Sequence, residues 1–495
     1  MDVYFSDYFK VEENTIEEYG AFNISLITDL PLFIDPFLLF NSNREEYKIL
    51  HKDILTYLRF LKDKSLKKTI SNGLLKSWYQ FPEIKQNWFG FCKTGNGGSG
   101  LGRDFAMALN DNLKTIFSAF GTEEITRSSH LEKLCLIKAR VGKDNISDFT
   151  TNLIHGFLLN YTEKFAQTFI KPEFRKKLNA RQVRFNYRTE TWETGLYDLP
   201  WYNGDYVLLT PLDILTKDDT WINKTDLTKN FDAIPTAIPN DALRDEINNY
   251  FLSILPEDPD KESKDKAKIK TVIKYPILID YFIKYKEDNG DGAVKTSFDK
   301  VETSKALYVR QSKELINTLE QQTEFYINPG NTYGESMARV LFLKDVIENK
   351  DGYRLFYVKG KPVKKEEDLQ ILFRLTWFAT SSDVNREVNN GRGPVDYKIS
   401  RGNIDKTLVE FKLASNSQLK KNLANQVEIY EKANNTNSSI KVIMFFTDSE
   451  ETKVKTILKE LKLDTSESVI MIDARNDNKP SASKADKKSL ELVPH

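Results

Sequence analysis

The feature that most constrains this chain is the order of sequence patterns between residues 364 and 475. An amphipathic helical stretch is followed by three short strand-like runs, and the second and third of these alternate polar and apolar residues. Further helical and strand-like stretches then alternate, which gives the order αβββαβαβ. The predicted helices span 365–379, 417–433 and 450–461, and the predicted strands span 383–388, 395–400, 407–413, 440–446 and 469–473.

The rest of the chain must form at least one further domain, because 495 residues exceed the usual size of one. Charged residues dominate 256–271, which also contains two prolines. We therefore predict an N-terminal recognition or regulatory α/β domain over 1–255, a charged linker and helical connector over 256–350, the domain described above over 351–478, and a mobile tail over 479–495. The predicted fold class is mixed α+β.

Charge and cysteine content exclude several classes of protein. The 72 basic residues equal the 72 acidic ones, so global charge gives no argument for nucleic acid. Cys92 and Cys135 have no partner at the spacing of a zinc site or a disulfide framework. The N-terminal segment lacks a secretion signal, and the longest apolar run, residues 30–40, is broken by prolines and an aspartate. We expect a soluble, cytoplasmic protein without a membrane partner.

Charged side chains leave the apolar pattern on the second and third predicted strands. Alternation places Asp396 on the face opposite to Tyr397, and it points Glu410 and Lys412 together away from Phe411. Two carboxylates and a lysine can therefore converge above adjacent strands.

This convergence suits the hydrolysis of a phosphodiester bond, which needs a divalent cation to polarise the phosphoryl oxygen and to activate a water molecule. Carboxylate oxygens are suitable ligands for Mg²⁺ or Mn²⁺. We expect Asp396 and Glu410 to hold the metal, together with the backbone carbonyl of Phe411. Lys412 would orient the attacking water or neutralise charge that develops on the phosphate.

The segment Gly393-Pro394-Val395-Asp396, followed fourteen residues after the aspartate by Glu410-Phe411-Lys412, resembles the motif of the PD-(D/E)XK nuclease superfamily. The proline stands two residues before the aspartate here, where the family pattern has it one residue before. The resemblance implies a restriction-endonuclease-like fold and a metal-dependent nuclease with catalytic residues Asp396, Glu410 and Lys412.

The helix predicted after the third strand extends this resemblance. Leu419, Leu423, Gln426 and Tyr430 lie on one helical face by their spacing. The pair Gln426 and Tyr430 resembles the QxxxY motif of the RecB-like branch. This implies that Gln426 supports the catalytic site and that Tyr430 contacts nucleic acid.

The resemblance also implies a metal-binding carboxylate on the first helix. Glu366 and Glu367 are both candidates. Glu367 is preferred as a metal ligand, because Gln370 and Arg374 follow it at helical spacing and continue a polar stripe. Glu387 on the first strand is a lower-ranked alternative.

Basic residues outnumber acidic ones by seven to four between positions 398 and 432, where a phosphate backbone would lie. Lys398, Lys420 and Lys421 are the candidate nucleic-acid contacts. Solvated surface charge is nevertheless the commoner explanation for any one of these lysines.

By family analogy, the expected function is that of a DNA endonuclease in restriction or anti-phage defence, with RNA as the alternative substrate and a homodimer cutting both strands. A non-catalytic nucleic-acid-binding or scaffold protein on a nuclease-derived fold is the alternative from another class. The N-terminal domain would recognise the target or bind an activating partner or ligand. Its glycine-rich segment 95–102 is a candidate phosphate-binding loop, although a mobile surface loop is the commoner explanation.

Overall fold

In the computed structural model the chain forms two compact units, one within residues 1–304 and one from Lys305 onward. The residues described are 3–66, 70–90, 100–116, 123–137, 142–217, 219–313, 330–349, 352–358, 361–363, 366–377, 380, 382–389, 394–402, 404–424 and 438–479. At some of these positions, Glu367 and residues 386–389 among them, only the backbone is described.

The first unit combines helices with a long β-hairpin. Its helices are α1 (Phe5–Phe9), α2 (Glu13–Tyr19), α3 (Pro36–Phe40), α4 (Glu45–Ser65), α5 (Asn72–Tyr79), α6 (Arg103–Ile116), α7 (Lys133–Ile137), α8 (Lys143–Leu153), α9 (His155–Phe169), α10 (Lys224–Lys229), α11 (Asp241–Ser253), α12 (Lys261–Lys274), α13 (Ile277–Asp288) and α14 (Gly290–Lys305). Its strands are β1 (Leu32–Ile34), β2 (Arg175–Asn186), β3 (Thr191–Tyr202), β4 (Asp205–Tyr206) and β5 (Leu215–Lys217). Strands β2, β3 and β4 form an antiparallel sheet in that order, and β1 pairs with β5.

The hairpin formed by β2 and β3 packs on the junction of α8 and α9 through an irregularity in β2. The strand register shifts between Ala180 and Arg184, and Gln182 there has a positive φ of 52°. A Cβ atom at Gly156 would lie 2.6 Å from the backbone oxygen of Val183. Glycine at position 156 therefore allows the bulged strand to approach the helix backbone closely.

Several elements of the first unit differ from their predictions. The sequence has helical periodicity from Ile146 to Tyr161 and would form one helix on that pattern. The structure divides this stretch into α8 and α9, because Ile154 leaves the helical conformation next to the bulge of β2. Residues 206–209 have the composition of a strand, but only the first of them, Tyr206, belongs to one. The charged segment 256–271 starts α12, and the connector predicted over 256–350 is shared between the two units. Buried apolar residues such as Phe282 and Ile283 attach this region to the first core.

The second unit is built on a five-stranded sheet in the order β12-β11-β10-β9-β8. Strands β8, β9 and β10 are antiparallel, and β10, β11 and β12 are parallel. Its helices are α15 (Thr332–Asn349), α16 (Glu366–Leu375), α17 (residues 419–424) and α18 (Asp448–Glu460), with a π-helical turn at Ala306–Gln311. Its strands are β6 (Tyr357–Val358), β7 (Lys361–Pro362), β8 (Asp383–Asn389), β9 (Pro394–Arg401), β10 (Asp405–Leu413), β11 (Ser439–Phe445) and β12 (Val469–Asp473).

The elements of this unit follow the order αβββαβαβ from α16 to β12 among the described residues, and the mixed α+β class is confirmed. On one face of the sheet, the ring of Phe373 in α16 lies 4.8 Å from that of Phe411, and the Tyr397 hydroxyl donates to the Gln370 backbone oxygen at 2.7 Å. On the other face, apolar residues of α17 and α18 pack on Ile443 and Phe445 of β11. The sheet is therefore covered on both faces.

Three further predictions can be compared with the structure. No helix within the described ranges is long and apolar enough to cross a membrane. Cys135 is a buried free thiol, and Cys92 lies outside the described residues. The predicted tail also lies outside them, apart from Lys479.

Candidate functional site

Strands β9 and β10 place the predicted catalytic residues next to each other. Tyr397 lies opposite Val409 in the antiparallel ladder, so the next residues along it, Asp396 and Glu410, point to the same face. The Asp396 Oδ2 atom accepts a hydrogen bond of 2.6 Å from the Phe411 N–H. This contact fixes the aspartate against the neighbouring strand.

The ammonium group of Lys412 lies among three carboxylates. Its Nζ atom is 3.2 Å from Glu410 Oε1, 3.4 Å from Glu366 Oε2 and 3.7 Å from Asp396 Oδ2. It also donates to the Phe411 backbone oxygen at 3.0 Å. One cationic group therefore joins the two strand carboxylates and a carboxylate from α16.

Glu366 is the first residue of α16 and lies at the carboxyl end of β10. Its Oε1 atom accepts from the Leu413 N–H at 3.3 Å and from Asn416 Nδ2 at 3.0 Å. A carboxylate in the first turn of a helix is stabilised by the helix dipole. Among the helix carboxylates proposed from the sequence, Glu366 is the one that the described side chains bring to Lys412. The side chains of Glu367 and Glu387 lie outside the described residues.

Burial changes the acid–base properties of the cluster, because Glu410 and Lys412 are only 8% and 7% exposed. Burial raises the pKa of Glu410 to about 7; Lys412 opposes this rise, and Asp396 adds to it. Burial alone would lower the pKa of Lys412, but Asp396, Glu410 and Glu366 together raise it above its ordinary value. Lys412 is therefore cationic at neutral pH, and Glu410 loses its proton close to neutral pH.

Lys441 is a charged neighbour of this cluster that the sequence analysis missed. It lies opposite Glu410 in the parallel pair of β10 and β11, and it is only 5% exposed. Its Nζ atom donates to Ser439 Oγ at 3.3 Å, and its charge lowers the pKa of Glu410. The sequence signal for Lys441 was a single charged residue within the apolar run from Ile440 to Phe445.

The predicted helix with the Gln-Tyr pair is described only in its first part. Leu419 and Leu423 are buried in the core, as their spacing predicted. Gln426 and Tyr430 lie outside the described residues, so their roles stay predictions.

The candidate nucleic-acid lysines have different surroundings. Lys398 is two residues from Asp396 on β9, which places both on the same face of the strand, and it is half-buried. Lys420 forms an ion pair of 2.8 Å with Glu460 of α18, and both side chains are about half exposed. Lys421 is exposed. The contact with Glu460 agrees with the surface-charge explanation for Lys420.

The glycine-rich segment of the first unit is described only from Gly100 onward. Gly100 has a φ of +62°, and a Cβ atom there would lie 2.5 Å from the Glu83 backbone nitrogen. Its N–H donates to Glu83 Oε2 at 3.0 Å. Close packing on the segment before α6 therefore explains this glycine, and residues 95–99 lie outside the described residues.

The site can be compared with the needs of a divalent cation. No group of three or more histidine, cysteine, aspartate or glutamate side chains in the described part of the chain is arranged to hold a metal ion. Carboxylate oxygens of Asp396, Glu410 and Glu366 nevertheless all lie within 3.7 Å of one point, the Lys412 ammonium nitrogen. Carboxylate oxygens are the donor type that Mg²⁺ and Mn²⁺ bind, and here the Lys412 ammonium group occupies the point between them.

Two family models match parts of the chain. Residues 10–223 match a domain of unknown function (DUF8370), and residues 332–448 match a second domain of unknown function (DUF8371). The second match starts at α15 and includes Glu366, Asp396, Glu410 and Lys412. No curated protein and no solved structure matches the chain.

Proposed function

We propose that the second unit is a metal-dependent nuclease of the PD-(D/E)XK type. The observation that carries this proposal is the convergence of Asp396, Glu410 and Glu366 on the Lys412 ammonium group. The order of elements and the mixed sheet support it, because they place the two strand carboxylates on one face and bring the start of α16 to the same point.

Asp396, Glu410 and Glu366 would hold Mg²⁺ or Mn²⁺. A cation bound there supplies Lewis-acid polarisation of the phosphoryl oxygen and a lowered pKa for a bound water. Glu410 must lose its proton to act as a ligand, so metal affinity and cleavage are expected to increase as pH rises through about 7.

Lys412 contributes charge and does not act as a base. Its carboxylate neighbours raise its pKa, so it keeps its proton at the pH where Glu410 becomes a ligand. The ammonium group would stabilise negative charge on the phosphate and orient the attacking water. Lys398, half-buried on the same strand face as Asp396, would contact the phosphate backbone, and Gln426, Tyr430 and Lys421 are proposed to support this contact.

The wider biological role follows the resemblance noted in the sequence. DNA is the proposed substrate and RNA the second choice, with restriction or anti-phage defence as the role and the cytoplasm as the location. A homodimer would supply two sites for the two strands. The first unit would recognise the target or receive an activating partner or ligand.

Cleavage of nucleic acid by the full chain tests the proposal. Linear, circular and single-stranded DNA and RNA would each be incubated with Mg²⁺, Mn²⁺ or EDTA, using the wild type, Lys412→Ala and Lys455→Ala. Lys455 is a matched control, because its ion pair with Glu451 is on the exposed surface of α18. We expect metal-dependent cleavage that Lys412→Ala reduces about 100-fold or more and that Lys455→Ala leaves unchanged.

Two results would contradict the assignment. In the first, Lys412→Ala cuts as fast as the wild type. In the second, no substrate is cut and Mn²⁺ binds equally well to the wild type and to Asp396→Ala. The second result would favour the alternative function, a nucleic-acid-binding or scaffold protein without catalysis.

A further inference from the structure

The outer strand of the β-hairpin in the first unit carries a concentration of positive charge. Residues 175–188 contain six basic residues and no acidic one, in a chain whose charges cancel. Lys177, Arg181 and Arg188 are exposed and make no ion pair with any described residue. Arg175 and Arg184 pair with acids on β3, which are Asp198 and Glu193 respectively. Two cationic groups on this strand, and Arg188 in the turn that follows it, are therefore free to bind an anion.

Protection of a sheet edge explains only part of this pattern. Strand β2 is at the edge of its sheet, and charged residues on edge strands prevent pairing with other chains. One or two lysines would achieve this. Edge protection also gives no reason for the aromatic cavity beside the same strand.

This cavity has a volume of about 740 Å³ and lies between the hairpin, α4 and the start of α9. Aromatic side chains line it, and they are Tyr57, Phe157, Phe185, Tyr187, Trp192 and Tyr197. Asn160, Asn186 and Asp53 supply polar groups at its wall. The volume lies in the range of small-molecule sites, about 300–1,000 Å³.

Contacts on both sides hold the cavity wall in place. The Tyr57 ring lies 4.9 Å from Phe185 and 5.4 Å from Trp192. At the turn of the hairpin, the Glu190 backbone oxygen accepts from Trp78 Nε1 at 3.0 Å. Tyr187 stands beside Phe185 with a ring distance of 5.2 Å, and 44% of its surface is exposed. An aromatic face is therefore available to a planar group that enters from solvent.

We propose that this hairpin binds single-stranded nucleic acid, with phosphates along the basic edge of β2 and an unstacked base in the aromatic cavity. Basic residues that follow a backbone, together with aromatic rings that stack on bases, are the combination that binds single strands. The inference extends the proposed function, since a strand bound here would be the substrate. Its test measures binding without cleavage, so either proposal can fail without the other.

The charge component is tested by fluorescence anisotropy of the full chain in EDTA, with labelled single-stranded and duplex DNA of the same sequence. The variant Lys177→Gln/Arg181→Gln/Arg188→Gln is compared with Lys261→Gln/Lys264→Gln/Lys270→Gln. The control removes the same charge from exposed positions of α12. We expect the hairpin variant to bind the single strand at least about tenfold more weakly, with the slope of log Kd against log salt reduced by about 2. The control should bind like the wild type.

The cavity component is tested with Tyr187→Ala, Tyr187→Trp and the control Tyr285→Ala, which removes an exposed tyrosine from α13. We expect Tyr187→Ala to weaken single-strand binding about tenfold. Tyr187→Trp should retain it because stacking is preserved, and Tyr285→Ala should leave it unchanged.

Three results would overturn the proposal. The two charge variants could lose affinity equally, or duplex DNA could bind more tightly than the single strand. The wild type could also bind anionic phosphatidylserine vesicles while it binds neither nucleic acid.

Discussion

Replacing Glu410 by glutamine should stabilise the metal-free second unit at alkaline pH. In the folded protein Glu410 keeps its proton up to about pH 7, whereas its ordinary pKa is 4.5. The folded state therefore binds more protons between these two values, and stability falls as pH rises through this window. The full difference corresponds to about 3 kcal/mol above pH 7.

Glutamine is neutral at every pH and removes this loss. It also removes one ion pair, because Lys412 Nζ lies 3.2 Å from Glu410 Oε1, but the lysine keeps Asp396 and Glu366. We therefore expect the difference in unfolding free energy between the variant and the wild type to depend on pH. In EDTA, this difference should shift in favour of the variant by about 2 kcal/mol from about pH 5 to about pH 8.

Hydrogen exchange of the β10 and β11 amides is the suitable assay, because it reports the opening of this unit separately from the first one. Rates are corrected for the intrinsic pH dependence of exchange. Glu460→Gln, at a half-exposed position of α18, is the control and should change the opening free energy by less than about 0.5 kcal/mol. A difference between Glu410→Gln and the wild type that stays constant with pH would refute the reasoning.

Three further changes separate the roles of neighbouring residues. Lys412→Met should lower the opening free energy in EDTA by about 3 kcal/mol, because it leaves the carboxylates without their cation. The same variant should bind Mn²⁺ more tightly in calorimetry, and weaker binding would contradict this account. Tyr397→Phe removes a buried hydrogen bond of 2.7 Å and should lower the opening free energy by about 1 kcal/mol in hydrogen exchange. Its Mn²⁺ affinity should be unchanged, and a changed affinity would argue against a purely structural role for Tyr397. Leu423→Ala deletes a buried side chain in the core under α17 and should cost about 3 kcal/mol in the same assay; a cost under about 1 kcal/mol would show that the site is poorly packed.

The elements of the second unit could be predicted because their sequences carry clear periodicity. Residues in β9 and β10 alternate between the core and the charged face, and β11 is apolar from Ile440 to Phe445 except for Lys441. The choice between Glu366 and Glu367 could not be made in the same way. Successive residues of a helix point about 100° apart, and the docking of α16 on β10 decides which one reaches Lys412.

The hairpin of the first unit was missed because neither strand shows a regular pattern. Strand β2 is rich in lysine and arginine, and β3 contains Gly195 and Pro200. The bulge at Gln182 interrupts the alternation further. Phe185 of the hairpin is buried against Tyr57 of α4, which is far away in sequence, and sequence periodicity does not reveal such a contact.

The central claim is that the carboxylates around Lys412 form a metal centre. Anomalous diffraction from crystals soaked with Mn²⁺ tests this most directly. We predict a peak within about 2.5 Å of carboxylate oxygens of Asp396 and Glu410, with the Lys412 ammonium group displaced from its present position among them. The absence of a peak at these residues while Mn²⁺ occupies another protein site would contradict the claim.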